Sequence, residues 1–450
     1  MIFLIAVGAL AFGGVCVWAL VALIQRWQIV GLYLIAAFAV IAWELPDSPS
    51  LVSVAGVQIK SEDFISIALL VSALTSFRQM SKNLVRVGPF LGLIVFCLSM
   101  SLASGLVHDG TQAFNEARST IWLVAATAWT LSRDWSQSSA SLRRLFLHSG
   151  SVLCAFAVIH VIVYGWGGAD SFVTAATGVL QTGRPLVSGQ ALVLLCCGLS
   201  LILTSGAIRV SDLLVGYVFV AMSILCMHRS IWVAAVLSLL VVAVSLRGRA
   251  LASTVFLAFY AGVVLTCLIA FGVLAAFGDT VSHALSSDGT LNAREGSWTE
   301  LIDQSIQQGP QTVIFGASFG AGWGRVVNGG FIDFNPHNWY VVLYLRIGLV
   351  GLLFVAGVIA YTFIRVLRVS RASLAVLMAI CAYAWFYHLP WYIAPWLGLV
   401  LYSAHRESVR DTRPAVLRGQ RALPEAATEQ PAPSLLNRGA VRTFGRSSPA

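Results

Sequence analysis

The chain has 450 residues, of which 58% are hydrophobic and only 10% are charged, and its mean hydropathy is +0.84. About a quarter of the residues of a soluble domain are charged, so the composition excludes an ordinary soluble protein. It predicts an all-α fold, a polytopic bundle of transmembrane helices. The net charge of +9 does not indicate a nucleic-acid partner, because the basic residues lie in short gaps between apolar runs and mark membrane topology.

Apolar runs long enough to cross a membrane recur from Met1 to about Tyr402 and predict about 12 or 13 spans. The first run has no basic residue before it and no small-residue cleavage site, so we predict a retained span rather than a signal peptide. The last two runs are interrupted by Pro390 and Pro395 and could form one broken helix. The predicted spans cover residues 2–24, 29–45, 64–77, 88–107, 119–132, 145–165, 186–206, 213–227, 231–246, 251–276, 338–364, 372–387 and 390–404.

The distribution of charge also predicts the organisation of the chain. If the basic gaps face the cytoplasm, residues 1–404 form a membrane domain, and the long polar loop over residues 277–337 lies outside. Residues 405–450 are rich in Arg, Pro, Ala and Ser and lack a hydrophobic period, which predicts a disordered, basic cytoplasmic tail. The version with about thirteen spans places the N-terminus outside.

The outer loop has two features that indicate function. Trp298, Leu301, Ile302 and Ile306 recur at helical spacing and predict an amphipathic helix at the membrane surface. The glycine-rich run that follows, residues 315–325, either allows the backbone to approach a ligand closely or is a flexible connector.

A set of arginines lies on the outer side of the predicted topology, where the charge rule disfavours basic residues. Guanidinium groups donate fixed pairs of hydrogen bonds to phosphate oxygens, so these arginines indicate a pyrophosphate ligand. The alternative is ion pairing with Asp279, Glu295, Glu300 or Asp303. The arginines are Arg184, Arg229, Arg294 and Arg325.

His337 lies where the outer loop meets the next predicted span. A neutral imidazole there could take the proton from an acceptor hydroxyl as its oxygen attacks an anomeric carbon. The alternative is an interfacial or helix-capping histidine.

The sequence around His337 resembles the O-antigen ligase family. Its signature is a His followed by Asn, Ser or Gln, then nine residues and G-x-x-[GTY], and it is met by His337, Asn338, Gly348 and Gly351. The resemblance covers about residues 60 to 404. Further motifs that resemble those of the family, or of related polymerases, include Arg229 with Trp232, Arg294 with Trp298, and Gly183-Arg184-Pro185.

The resemblance implies a metal-independent glycosyltransferase without a cofactor in a bacterial inner membrane. Its donor would be a polyprenyl-pyrophosphate-linked glycan, and its acceptor a glycan or a lipid in polysaccharide assembly at the cell surface. Arg229, Arg294 and Arg184 would hold the pyrophosphate, and His337 would act as the base. The alternatives are a polysaccharide polymerase of the same family and, in a different class, a flippase or a transporter of a small solute such as bicarbonate.

Helical geometry separates the residues that follow His337. At about 100° per residue, Gly348 falls on the face below His337 and Arg346 falls nearly opposite. We therefore predict that Arg346 serves packing, snorkelling or a second polar contact. Gly348 and Gly351 are expected to allow close helix packing.

Several motifs are absent from the sequence. Apart from Glu44 at the end of the second, the predicted spans contain no acidic residue, and no D-x-D motif occurs, so a carboxylate-bound metal is not expected. No phosphate-binding loop of the ATPase type occurs. The eight cysteines lie in apolar runs without C-x-x-C spacing, which indicates neither disulfides nor a metal site.

Overall fold

The computed structural model describes residues 2–41, 50–54, 56–77, 80, 87–164, 171–173, 180–182, 184–204, 209–245, 251–252, 254, 289–327 and 329–411. The predicted span 251–276, the first part of the outer loop with Asp279, and the predicted tail after residue 411 lie almost wholly outside these ranges. The chain divides into one unit over residues 1–407 and a second over residues 408–450. The features below belong to the first unit, apart from residues 408–411 at the end of the last helix.

The prediction of a mostly helical chain is confirmed. The described helices are α1 (Ile2–Arg26), α2 (Gln28–Ile41), α3 (Ser61–Thr75), α4 (Gly88–His108), α5 (Thr111–Leu131), α6 (Ser139–Tyr164), α7 (Ser188–Thr204), α8 (Val210–Leu225), α9 (Arg229–Ser245), α10 (Gly289–Gln307), α11 (Pro310–Phe315), α12 (Trp339–Val369), α13 (Arg371–Phe386) and α14 (Ala394–Asp411).

Antiparallel hairpins account for the described strands. They are formed by β1 (Ser50–Val54) with β2 (Val57–Lys60), β3 (Ser171–Val173) with β4 (Leu180–Thr182), and β5 (Gly324–Val327) with β6 (Gly330–Asp333). In the third hairpin Arg325 lies opposite Ile332. This hairpin stands between the glycine-rich run and α12, and it leads the chain to His337.

Among the described residues, three helices are long and apolar enough to cross a membrane, namely α4, α6 and α12. Several shorter helices are also apolar, including α2, α7, α8, α9 and α13. The chain therefore has the helices of a membrane protein, and the count of about 12 or 13 spans stays a prediction.

The centre of the described bundle is α7. Leu192, Val193, Leu194 and Leu195 are each 0% exposed, although four successive helical residues point in different directions. A helix that is apolar all round is expected in the interior. Gly198 lets α7 approach α8, since a Cβ at this position would lie 2.7 Å from a backbone oxygen of α8.

Several boundaries differ from the predicted spans. α14 continues to Asp411, so the first residues of the predicted tail are helical. Pro395 lies in the first turn of α14, where a proline tolerates the missing N–H, so it begins a helix rather than interrupting one. A short 3₁₀ helix, Trp391–Ile393, separates α14 from the end of α13.

Three helices begin earlier than the hydropathy predicted and gain acidic residues. α3 begins at Ser61 rather than at residue 64 and contains Glu62 and Asp63. α5 begins at Thr111 rather than at residue 119 and contains Glu116. α8 begins at Val210 and contains Asp212, which pairs with Arg143 of α6. Hydropathy does not register the polar first turn of a helix, which is why these carboxylates were assigned to gaps.

Candidate active site

The position of His337 is fixed by the residue that follows it. Asn338 is the N-cap of α12: its Oδ1 accepts hydrogen bonds from the backbone N–H groups of Tyr340 (3.0 Å) and Val341 (3.2 Å). Asn338 is buried, and such a cap satisfies backbone donors that have no partner within the helix. Asn338 therefore acts here as a helix cap that holds His337 at the mouth of α12.

The ring of His337 lies between two aromatic side chains. Its centroid is 5.8 Å from that of Phe334 and 5.4 Å from that of Tyr387. The side chain remains exposed, although the two neighbouring rings displace part of its water. The pKa of His337 is lowered from its ordinary value by this loss of water, and further by the positive charges of Arg294 and Arg325. His337 is therefore a neutral base near pH 7.

Arg294 of α10 approaches the same tyrosine from another side. Its guanidinium carbon is 4.9 Å from the centroid of the Tyr387 ring, and its Nη2 is 3.4 Å from the Tyr387 hydroxyl. A second donor, Nη1, points to the carbonyl oxygen of Phe386 at 3.4 Å. Among the described residues no carboxylate pairs with Arg294. Tyr387 thus contacts both Arg294, which is predicted to bind the pyrophosphate, and His337, the predicted base.

Sequence reasoning missed Tyr387. It follows the last residue of α13, and tyrosines near the ends of membrane helices usually anchor the interface. Its place directly before His388 is its one local feature, and this does not distinguish it from an interface anchor.

Arg184 contacts a second histidine, His228, which directly precedes Arg229. Arg184 Nη1 lies 3.0 Å from Nδ1 of His228, and Arg229 is the next residue, the first of α9. Both arginines are half-buried. Trp232, predicted with Arg229, donates its indole N–H to the carbonyl oxygen of Ile224 at 2.8 Å and so ties α9 to α8. The structure therefore brings Arg184 into contact with the residue that directly precedes Arg229.

Hydrogen bonding and ring stacking connect the two groups of residues. Ser188, the first residue of α7, lies 3.0 Å from the hydroxyl of Tyr383, and the Tyr383 ring stacks on that of Tyr387 at 5.5 Å and 20°. Arg184 precedes α7 by a few residues. All the arginines that are predicted to bind the pyrophosphate therefore lie at the same end of the helix bundle as His337. At this end α7, α9 and α12 begin and α13 ends.

Arg325 supports the site from behind. Its Nε donates to Ser297 at 2.5 Å, and its Nη1 donates to the carbonyl oxygens of Trp323 (2.7 Å) and Phe334 (2.8 Å). It is 2% exposed, and its guanidinium lies 5.1 Å from the Phe334 ring centroid. These contacts hold Phe334 against His337, so Arg325 positions the histidine's neighbour.

Helix α10 confirms the predicted helix in the outer loop over its described part. Trp298 and Leu301 are buried, whereas Ile306 is 56% exposed. The apolar side chains at the beginning of the stripe are therefore buried, whereas the last one is exposed on the surface of the protein.

Arg346 lies away from His337, in contact with Glu116. Its Nε is 2.5 Å from Glu116 Oε1, and its Nη2 donates to the carbonyl oxygen of Gly322 at 2.9 Å. Its guanidinium also lies 4.0 Å from the Trp323 ring centroid. The backbone N–H of Gly320 donates to the other oxygen of Glu116 at 2.9 Å. The ion pair thus binds the glycine-rich run to α5 and α12.

Gly348 interrupts α12 with a φ of +64°. A Cβ there would lie 2.2 Å from the carbonyl oxygen of Ile314, and one at Gly316 would lie 2.5 Å from the Arg346 backbone. At Gly351 a Cβ would lie 2.5 Å from Cγ1 of Ile347 within the same helix. The glycine-rich run is therefore packed on α12 along its first part, which disfavours the flexible connector.

An apolar cavity of about 700 Å³ opens beside the site. It lies between α4, α5, α12, α13 and α14, and its walls are almost wholly aliphatic and aromatic. Its lining includes Trp339 and Tyr340 at the start of α12 and Leu389, the neighbour of His388, and it continues to Leu131 and Leu401 far along α5 and α14. The cavity therefore begins close to His337.

No protein-family model, curated protein or solved structure matches the chain. The resemblance to the O-antigen ligase family accordingly stays a prediction from the motifs. Within the described ranges, no group of three or more His, Cys, Asp or Glu side chains has the arrangement of a metal site. The chemistry that this end of the bundle offers is a neutral imidazole that lies within the electrostatic influence of the Arg294 and Arg325 guanidinium groups.

Proposed function

We propose that the chain transfers a glycan from a polyprenyl pyrophosphate to an acceptor hydroxyl at the outer face of a bacterial inner membrane, as O-antigen ligases do. The observation that carries the proposal is the Tyr387 ring, which contacts both His337 and Arg294. A base and a phosphate-binding cation held on one side chain are what glycosyl transfer from a pyrophosphate donor requires.

The proposed reaction forms one bond and breaks another. The acceptor oxygen attacks the anomeric carbon and gives its proton to His337, while the bond between that carbon and the pyrophosphate oxygen breaks. The electron pair leaves with the pyrophosphate, whose increased charge is stabilised by Arg294 and by Arg184 and Arg229. A single displacement inverts the anomeric centre, and His337 then releases its proton to water.

The apolar cavity supports a lipid-linked donor rather than a soluble one. A polyprenyl chain in this cavity would lie beside residues of α4, α5 and α12 while its pyrophosphate reached the arginines. Burial of each CH₂ group contributes about 0.8 kcal/mol, so the chain would supply much of the donor affinity.

A bulky side chain in the cavity wall is expected to weaken binding of long-chain donors. Gly92 of α4 lines the cavity, and a Cβ there has nothing within 4 Å, so Gly92 is a position at which a large side chain can begin without a clash at its Cβ. By displacing a few CH₂ groups, Gly92→Trp should raise the KM for a long polyprenyl donor about tenfold. Initial rates in proteoliposomes measure the change, with a short-prenyl donor for comparison.

The matched control is Gly14→Trp in α1, an exposed helical glycine with the same open surroundings that does not line the cavity. It should leave both KM values unchanged. An equal rise of KM for long and short donors in Gly92→Trp would contradict a polyprenyl chain in the cavity.

The proposed function is tested by the pool of lipid-linked glycan in cells that carry His337→Ala in place of the wild-type protein. Accumulation of long chains on the lipid carrier, with loss of mature surface polysaccharide, is expected of a ligase. Accumulation of single repeat units would instead identify a polymerase of the same family.

His108→Ala is the control, because His108 is exposed at the end of α4 and, among the described residues, its ring bonds within its own helix, to the carbonyl oxygen of Ser104 at 2.8 Å. It should behave as wild type. An unchanged pool and unchanged surface polysaccharide in His337→Ala would overturn the transferase proposal and leave transport as the better account.

A further inference from the structure

His228 lies at a strained junction between α8 and α9. Met227, the residue before it, has a φ of +61° and is 2% exposed. This left-handed conformation is unfavourable for a residue with a side chain. Among the described residues, Met227 is the single non-glycine residue that adopts it. His228 itself is 4% exposed. The unfavourable backbone at Met227 therefore accompanies a buried imidazole, that of His228, directly before α9.

The contacts of His228 specify one protonation state. The Leu186 carbonyl oxygen can only accept, so Nε2 of His228, at 2.8 Å, carries the hydrogen. The guanidinium of Arg184 can only donate, so Nδ1, at 3.0 Å from Arg184 Nη1, must present its lone pair. Both bonds are made together by a single neutral tautomer.

The electrostatic surroundings agree with this geometry. Burial and, to a smaller extent, the charge of Arg184 lower the pKa of His228 to about 3. Since both ring nitrogens are occupied by protein groups, His228 is not placed to accept a proton from a substrate.

The Nε donor of Arg184 is not used by His228. This Nε is enclosed and has no hydrogen-bond partner among the described residues. A buried donor of this kind is normally satisfied, and a phosphate oxygen is a suitable acceptor for it. His228 thus binds one edge of the guanidinium, and the Nε on the other edge has no protein partner among the described residues. The residue that follows His228 in the chain is Arg229.

We infer that His228 is a positioning residue: its neutral imidazole holds Arg184 beside Arg229, so that the two guanidinium groups form one wall of the pyrophosphate site. The inference rests on the proposed function and adds a residue to its donor-binding machinery. His228 does not touch the donor; it acts through Arg184.

Two polar substitutions of similar size separate the two bonds of His228. In His228→Asn the side-chain oxygen replaces Nδ1 and can still accept from Arg184. In His228→Gln the amide group replaces Nε2 and can still donate to Leu186, but the acceptor for Arg184 is lost. Affinity for undecaprenyl pyrophosphate in nanodiscs, by calorimetry, should fall about tenfold in His228→Gln. His228→Asn should restore most of it.

A double-mutant cycle shows whether His228 acts through Arg184. Arg184→Met alone should weaken binding at least as much as His228→Gln, and His228→Gln should add nothing in the Arg184→Met background. Additive losses, or an equal loss in His228→Asn and His228→Gln, would overturn the inference. Failure of the wild-type protein to bind undecaprenyl pyrophosphate would instead overturn the proposed function. Thermal unfolding of each variant shows that the fold is retained.

Discussion

Replacement of His337 by glutamine is expected to slow glycan transfer by about 10²- to 10⁴-fold, the contribution of a general base. Glutamine keeps a polar side chain of similar reach but has no basic nitrogen. His337 is exposed, and the cap that begins α12 belongs to Asn338, so the substitution should leave the fold intact. Initial rates with a purified lipid-linked donor in proteoliposomes measure the loss, with His108→Gln as the control. A loss below about threefold would contradict the assigned role.

The pH profile of the same reaction distinguishes a base from a structural histidine. Loss of water and the charges of Arg294 and Arg325 lower the pKa of His337, so the neutral form persists below the ordinary value of 6.5. The acid limb of kcat/KM should therefore lie below pH 6.5 in the wild-type protein.

Removal of one of these charges should move the limb in a known direction. Arg294→Met raises the pKa of His337 toward its ordinary value, so the limb moves to higher pH and the variant loses most activity in mild acid. Arg294→Lys keeps the charge and should show a smaller displacement. If the acid limb falls at the same pH in all three proteins, the imidazole does not titrate in the reaction.

The sequence motifs identified residues of the candidate site but not the contacts between them. They identified His337 and Arg294, and the structure places both against Tyr387. The tyrosine itself could not be predicted, because its role depends on how α10, α12 and α13 pack at one end of the bundle. An aromatic residue after a membrane helix has the same local pattern whether it anchors the interface or joins two functional residues.

Hydropathy located the helices but not the polar contacts between them. The predicted span beginning at residue 119 omitted the first turns of α5, and with them Glu116. Helical geometry predicted that Arg346 faces away from His337, but it could not identify the partner Glu116, which lies 230 residues away in sequence. Asn338 had a local signal, since asparagine directly before an apolar helix is a preferred N-cap. Local signals can be recognised in one sequence, whereas partners across helices depend on packing.

Loss of the Glu116 carboxylate is expected to destabilise the protein by about 3–5 kcal/mol, the cost of leaving a buried charge without its partner. Arg346 is 2% exposed, and its guanidinium lies against Glu116, Gly322 and the Trp323 ring. In Glu116→Ala this cation has no counter-charge, and the N–H of Gly320 loses its acceptor as well. The free energy of unfolding in detergent micelles measures the effect.

A second substitution shows whether the uncompensated charge is the cause. Arg346→Met in the Glu116→Ala background removes the buried cation and should recover a large part of the lost stability, because an apolar pair of similar volume often replaces a buried ion pair at little cost. Glu295→Ala, a loss of an exposed carboxylate on α10, should change stability by about 0.5 kcal/mol or less. If Glu116→Ala is no more destabilising than Glu295→Ala, the ion pair does not hold the glycine-rich run on α12. The packing at Gly316 and Gly348 would then have to hold it alone.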